Sequence, residues 1–576
     1  MEIQKSQNSQ QQQNGGNFKV PIYTASQQSQ DIVQLRVDPS DSFWKKRYVQ
    51  DMVYKQMELQ EFYWEFIDTP EFKRLHDIKQ LGTLYYVFPG ATHSRFSHSL
   101  GTAYLAHETM KHFRDVAQED SKYHKVYNTF QEAALAIEDR DIQNVGLAGL
   151  MHDLGHGIYS HLFDRDLMPT ILKTHGIKWE HEDASVMMLE HLVDQNHIDI
   201  EKEDLNFVQR LIKGDIPHAD HPKRWMFDIV ANKTNSLDVD KFDYLQRDSK
   251  HMGIKTVGFD YNRIIKNSRV VNGQICYNQK IYFELSQVFH TRYKLFKDTY
   301  THRVCKAIDY MIVDALLLAN PVFKFQEKIF NPNAYTYLTD SLLTHIEFSK
   351  KPELQESKEI LLRLRNRDLY RFIDQKLLTS KEFGKRITSQ EIVNYQDVGK
   401  FGVNLRAEDI IVSFHSLNWG KGNDNPLNAV KFYKQGENEI ETFYKQRQEV
   451  GLCYPKNYEE HYLRCLSRKN EDKFEAAKYA FHNMCTRHKE EMGELPMSPE
   501  RSRQYSSQRR LSQENNRSLY SQNSTAQKRE SSVQIENLEQ KLLQSQDLWD
   551  HENGNGNGLS QNSINKRLKF DANGNN

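Results

Sequence analysis

Residues 146–157 read Gly-Leu-Ala-Gly-Leu-Met-His-Asp-Leu-Gly-His-Gly, an imidazole and a carboxylate side by side in an otherwise apolar, small-residue stretch. Leu147, Leu150, Met151 and Leu154 follow the i, i+3, i+4, i+7 rule for one buried helical stripe, and the glycines predict a helix end at Gly155 or Gly157. His152 and Asp153 are thus expected inside a packed helix, where burial is costly unless they are paired or metal-bound. A core histidine satisfied by its own aspartate is one solution, and a metal centre is the other. Two further segments favour the metal. His98 lies in the segment His93–Gly101 where the helical stripe Phe96, Leu100, Tyr104 begins, and Asp240, Lys241, Tyr244 and Asp248 fall at i, i+1, i+4, i+8 on one helix face. Two imidazoles and two carboxylates make a borderline-hard set suited to Fe, Mn, Zn or Ni.

Composition narrows the class. With 77 Lys+Arg against 78 Asp+Glu in 576 residues, the net charge of −1 argues against a protein that coats nucleic acid through bulk positive charge. The most apolar stretch, Ile308 to Leu318, is interrupted by Asp309 and Asp314, so no membrane span is expected. Five scattered cysteines without a CxxC pair fit a reducing compartment, nucleus or cytoplasm. Residues 1–39 and 496–576 are Ser, Gln and Asn-rich and predict disordered tails. Between them we expect a helical catalytic region over 40–330 and a mixed α/β lobe over 331–495. Thr69-Pro70-Glu71 reads as a helix start. Strand-like alternation covers Gln274 to Leu285 and Val403 to Tyr433, with a turn at Asn423 to Pro426. Arg292, Phe296, Tyr300 and Arg303 share a helical face by spacing. His218, Asp220 and His221 lie between two prolines and read as a surface loop.

Longer strings carry a resemblance. Ile67–Pro70, Ile78–Gly82, Tyr85–Ala91, His152–Gly157, Ser185–Met188 and Asp238–Lys241, in this order, closely resemble the deoxynucleoside triphosphate triphosphohydrolases of the sterile-alpha-motif/HD-domain type. The similarity runs from about residue 40 to 320 and more weakly to about 490, with no room for a sterile-alpha-motif domain before it. It implies a mainly α HD-domain core, a smaller mixed lobe, and hydrolysis of a deoxynucleoside triphosphate to deoxynucleoside and triphosphate, dGTPase-like. By motif, His98, His152, Asp153 and Asp240 would ligate one divalent transition metal, with Mg accompanying the substrate. His181 would protonate the leaving 5′ oxygen, Asp164 would orient it, and His156 and His161 would contact phosphate or water. Arg95, Lys241 and Arg292 would meet phosphates, Gln80 and Asp248 the 3′-hydroxyl, and Tyr244 the sugar. Leu81 and Tyr300 would leave no room for a 2′-hydroxyl. The resemblance further implies a homo-oligomer, dimer or tetramer, and weak single-stranded nucleic-acid binding.

Regulation departs from the family pattern. Asp68, Arg263 and Lys280 match its allosteric nucleotide contacts, whereas His76, Asn278, Glu284 and Glu439 replace others, so activation by guanine nucleotide is expected to be weak or absent. In the tails, Ser498-Pro499 suggests a phosphorylation site, Ile535, Leu538, Leu542 and Trp549 a short docking helix, and Lys566–Lys569 a nuclear address. Two rival readings are an HD phosphohydrolase acting on another nucleotide and a non-catalytic nucleic-acid-binding HD protein. The joint presence of Leu81, Tyr300 and Asp248 disfavours the first, and the complete ligand set disfavours the second.

Overall fold

The computed structural model describes residues 45–492 except 124–135, 174–175, 218–220, 256–257, 436–439, 446–454, 456, 469–470 and 490–491. Both predicted tails with their motifs, Glu439, His218 and Asp220 lie outside the described residues. All described residues belong to one unit, Met1–Gly493.

Helices dominate. The long helix Arg95–Tyr123 packs along Asp139–Met151, and Val239–His251 lies against the former. Gly101 and Gly149 permit this closeness: a Cβ on Gly149 would stand 3.0 Å from the Thr102 carbonyl oxygen, and one on Gly101 would overlap the Asp243 carboxylate. Thr69 caps the helix Pro70–Lys73 by accepting from the Phe72 amide, as the Thr-Pro-Glu signal predicts. The main hydrophobic cluster runs from Tyr54 to Leu466 and contains Leu147, Leu150, Met151 and Leu154, all fully buried.

Among the described residues three small sheets complete the fold. An antiparallel hairpin joins β1 (Lys46–Asp51) to β2 (Lys55–Gln60). A four-stranded sheet has the order β3 (Ser268–Val271), β4 (Gln274–Asn278), β7 (Lys431–Gln435), β8 (Ile440–Tyr444), with β4 and β7 parallel. A three-stranded antiparallel sheet sets β9 (Glu459–Ser467) between β5 (Arg371–Leu378) and β6 (Ile410–Asn418). Among the described residues no helix is long and apolar enough to cross a membrane.

Local expectations are corrected in three places. The helix Asp139–Met151 stops before the predicted end at Gly155 or Gly157, so His152 and Asp153 occupy the turn beyond it. There the Ser185 hydroxyl donates to the His152 carbonyl at 2.7 Å and accepts from the Gly155 amide at 2.8 Å. Arg74 donates to the carbonyls of Leu154 and His156 at 2.8 and 2.9 Å. These side chains satisfy the backbone that a continued helix would have paired, which frees the turn to present both functional groups. Second, strand stops at Asn278, whose side chain accepts from the Lys280 amide and opens a helical turn into Tyr282–Leu295. Third, the face predicted for Arg292 to Arg303 breaks. A π-turn covers Phe296–Tyr300, and His302 caps a new helix, Arg303–Phe323, so Arg303 stacks on Phe372 with its guanidinium 5.4 Å from the ring centre.

A Cβ on Gly155 would lie 2.2 Å from both the His181 carbonyl oxygen and the Ser185 amide nitrogen, backbone atoms that cannot swing aside. Gly155→Ala should therefore cost about 1–3 kcal/mol, as overpacking does. It would be read as a lowered urea midpoint at unchanged m.

Candidate active site

Helix ends and turns bring the candidate ligands together. His98 comes from the first turn of Arg95–Tyr123, Asp240 from the first turn of Val239–His251, and His152 and Asp153 from the turn after Met151. His98 Nε2 stands 3.1 Å from Asp240 Oδ1 and 3.4 Å from Asp153 Oδ2, and His152 Nε2 is 3.5 Å from both Asp240 Oδ1 and Asp153 Oδ1. The other ring nitrogens are committed: His98 Nδ1 donates to Asp243 at 2.7 Å and His152 Nδ1 to the Gly149 carbonyl at 2.8 Å. Each Nε2 is thus a lone-pair donor aimed at the carboxylates, and each is buried with no hydrogen-bond partner. This donor set fits a divalent cation, and the Asp243–His98 contact has the form of a carboxylate behind a metal-binding histidine. Burial opposes a charge on His98, but Asp240 and Asp243 outweigh it and carry its pKa up to about 10; a cation at Nε2 would take the place of that proton.

Four more titratable groups form an adjoining cluster, with one ligand atom each from His156, His161, Asp164 and His181 within 4.8 Å of one another. His181 Nδ1 donates to Asp164 Oδ2 at 2.8 Å, and His161 Nδ1 lies 3.3 Å from the same oxygen. The His156 ring stacks on His181 with centres 4.0 Å apart, and its Nε2 is 3.3 Å from Asp153 Oδ1, so the two clusters share a wall. Burial works against a charged His181, yet the Asp164 hydrogen bond raises its pKa above the ordinary imidazole range. Burial and the neighbouring Arg95 hold His156 well below that range. The two stacked rings are thus shifted in opposite directions, His181 toward its charged form and His156 toward its neutral one.

A cavity of about 710 Å³ opens over both clusters, and Gln80, Leu81, Arg95, Lys241, Tyr244, Asp248, Arg292 and Tyr300 all line it. The cations are tethered. Arg95 pairs with Asp153 and donates to Ser160 Oγ at 2.9 Å, Lys241 contacts Asp238 at 2.8 Å, and Arg292 donates to the Asn418 carbonyl at 2.7 Å. The Asp248 carboxylate accepts from Tyr300 at 2.6 Å and from His93 at 2.8 Å, while Gln80 Oε1 is buried without a partner. The three allosteric candidates lie away from this cavity. Asp68 pairs with Lys73 at 3.1 Å and Arg47 at 3.4 Å, Arg263 pairs with Glu284 at 3.4 Å, and the Lys280 amide is held by Asn278 at 3.1 Å. His76 stacks on Phe96, ring centres 3.7 Å apart.

Residues 95–248 match the HD domain, which covers the four candidate metal ligands. Over 444 residues the chain is 35% identical to the deoxynucleoside triphosphate triphosphohydrolase SAMHD1 homolog of Dictyostelium discoideum, spanning 77% of this chain and 81% of that protein. It is 34% identical over 495 residues to deoxynucleoside triphosphate triphosphohydrolase SAMHD1 of Homo sapiens, spanning 79% and 75%. A putative HD domain-containing protein, L394, of Acanthamoeba polyphaga mimivirus is 28% identical over 398 residues, spanning 65% and 82%. The chain belongs to the HD-domain deoxynucleoside triphosphate triphosphohydrolase family.

Several supporting groups of this HD-domain site escaped the sequence reading. Asp243 accepts from Arg247 Nε at 2.8 Å and Nη2 at 2.9 Å, Arg247 Nη1 reaches Asp51 at 2.7 Å, and His93 holds Asp248. The i, i+4 pair Asp243/Arg247 was visible as a spacing, but nothing in it marks the pair as buried behind His98. Asp243→Asn should weaken metal affinity about 10–100-fold without touching the metal, as loss of a supporting carboxylate does. Competitive chelator titration followed by metal analysis would check this; undiminished affinity would remove Asp243 from the site.

Proposed function

We propose that this chain uses the cavity to hydrolyse deoxynucleoside triphosphates to deoxynucleoside and inorganic triphosphate. The observation that carries the reading is one cavity lined by His181, by His152, Asp153 and Asp240, and by Arg95, Lys241 and Arg292, with Asp164 bonded to His181 and His98 beside Asp240 behind its wall. Release of intact triphosphate requires attack by water at the α-phosphorus, cleavage of the bond to O5′, and a proton for that oxygen. His181 is anchored through Nδ1, so its Nε2 edge is available to deliver the proton. A divalent transition ion held by His98, His152, Asp153 and Asp240 would supply Lewis acidity toward a phosphoryl oxygen. Arg95, Lys241 and Arg292 are proposed to bind the triphosphate, which travels with its own Mg. His156 and His161 would contact phosphate or solvent.

The sugar side follows from Asp248. With Tyr300 and His93 already bonded to it, its carboxylate is fixed, and with the free acceptor Gln80 Oε1 it offers acceptors to a 3′-hydroxyl. Leu81 and Tyr300 wall the position next to it and provide no partner for a 2′-hydroxyl. Purified protein incubated with dATP or ATP, with products separated by ion exchange, tests the reading. Triphosphate should be released from dATP, with ATP disfavoured by about 1–3 kcal/mol, the cost of an unsatisfied buried hydroxyl. Phosphate or pyrophosphate as product, or equal turnover of ATP, would overturn it.

A second test follows from His181. A general acid works in its protonated form, which exists below its pKa and disappears as pH rises through it. Asp164 raises that pKa, so Asp164→Asn should move the alkaline limb of the kcat/KM profile to lower pH, besides lowering the maximum. An alkaline limb unmoved in that variant would take His181 out of the acid role.

A further inference from the structure

Gln80 and Leu81 stand in the cavity wall, but a residue outside that wall holds them. Asp340 lies in the turn between the helices Pro332–Tyr335 and Leu342–Phe348 and is not among the lining residues. Each of its carboxylate oxygens accepts from a backbone amide: Oδ2 from Lys79 at 2.9 Å and Oδ1 from Tyr159 at 2.6 Å. The Asp340 amide donates to the Asp77 carbonyl at 3.1 Å, and Arg74 donates to the Leu338 carbonyl at 3.2 Å, so the segment Leu338–Asp340 is itself tied down.

The two segments joined by Asp340 face the candidate site. Lys79 precedes Gln80 and Leu81, Tyr159 precedes Ser160 and His161, and all of these except Lys79 line the cavity. Tyr159 and Ser160 have φ of 54° and 57°, two successive side-chain-bearing residues in the left-handed region. That conformation is costly and persists only where surrounding bonds impose it. Asp340 supplies one such bond, at the Tyr159 amide. Ser160 Oγ supplies two more, donating to the Lys79 carbonyl at 2.6 Å and accepting from Arg95 Nε at 2.9 Å. Gly82 lets the segments touch, since a Cβ there would stand 2.8 Å from the Tyr159 carbonyl oxygen. The Gln80 amide donates to the His93 carbonyl at 3.0 Å, and the His93 ring holds Asp248. Both acceptors assigned to the 3′-hydroxyl therefore hang on this assembly.

The charged and titratable groups that face Asp340 are Asp77, Lys79, Arg74 and the Tyr159 phenol. Removal from water carries its pKa up to about 7, against the pull of the two amides and Lys79. A carboxylate shifted upward in this way weakens the fold as pH rises toward that value, so its ionised form is no aid to stability.

We infer that Asp340 is a positioning residue: by bridging the Lys79 and Tyr159 amides it sets Gln80 and Leu81, and with them the discrimination between deoxyribose and ribose. This rests on the cavity being a deoxynucleotide site. A proton on the carboxylate, or an amide in its place, puts a donor opposite an N–H and opens the bridge.

The test is the ratio of kcat/KM for dATP to that for ATP, in the metal-loaded full chain and in Asp340→Asn, between about pH 6 and 8. His181 and the metal set serve both substrates and cancel in the ratio. At the upper pH Asp340→Asn should lower the ratio about tenfold with bound metal unchanged, as a small displacement of positioning groups does. At the lower pH the two proteins should converge, because the native carboxylate has then taken up its proton. Asp248 and His93 also face the sugar, but their titration persists in the variant and drops out of the comparison. A merely structural role would lower both rates alike and leave the ratio unmoved, so equal ratios at the upper pH overturn the proposal. Should Asp340→Asn not fold, the unaltered chain decides: a ratio that falls as pH drops through about 7 upholds it, and a level ratio overturns it. If dATP yields no triphosphate, the hydrolysis reading falls, and the same comparison made by calorimetric affinity still decides the role of Asp340. Binding of neither nucleotide overturns both.

Discussion

The buried carboxylate of Asp243 is the hinge of the structure. It accepts two bonds from Arg247 and one from His98, and Arg247 extends to Asp51. Four charged or chargeable groups are thus taken out of water together, which is tolerable only because each is bonded to another. The hairpin carrying Asp51, the helix carrying Asp243 and Arg247, and the helix carrying His98 are locked to one another by this chain of contacts. Gly101 lets the carboxylate come in at that distance, since a Cβ there would occupy its place. The orientation of the His98 ring, and with it the candidate metal centre, follows from this network.

The grouping of the candidate site's residues was legible because they sit in strings where apolar periodicity and polar, ligand-type chemistry coincide. His98, His152, Asp153 and Asp240 come within a few ångströms of one another, and the eight residues assigned to substrate line one cavity. What could not be read depends on partners remote in the chain. The helix end at Met151 is set by Ser185 and Arg74, 33 and 80 residues away from the groups they bond. Arg303 leaves the pocket face because a π-turn inserts before it, and 3.6-residue counting assumes no such turn. The buried role of Asp243 has no local signature, since an aspartate in a mixed segment looks like a solvated one.

The lining of the cavity is chemically varied. Lys241 and Arg292 are each tethered to an oxygen, Asp238 and the Asn418 carbonyl. Asp248 is held by Tyr300 and His93, and Gln80 Oε1 is left as a buried acceptor. Recognition built in this way relies on groups set in place before a ligand arrives, so little ordering entropy remains to oppose binding.

The parallel pairing of β4 with β7 has a consequence for how the chain is made. β4 finishes at Asn278, but its partner begins at Lys431, and the strands that close the cavity, β6 and β9, end at Asn418 and Ser467. During synthesis from the N-terminus, the candidate metal ligands are all made long before these strands. A nascent chain halted between these points would carry the candidate site with one side open to water and the β7-facing edge of β4 unpaired, the two features that invite unwanted contacts and strand-to-strand association.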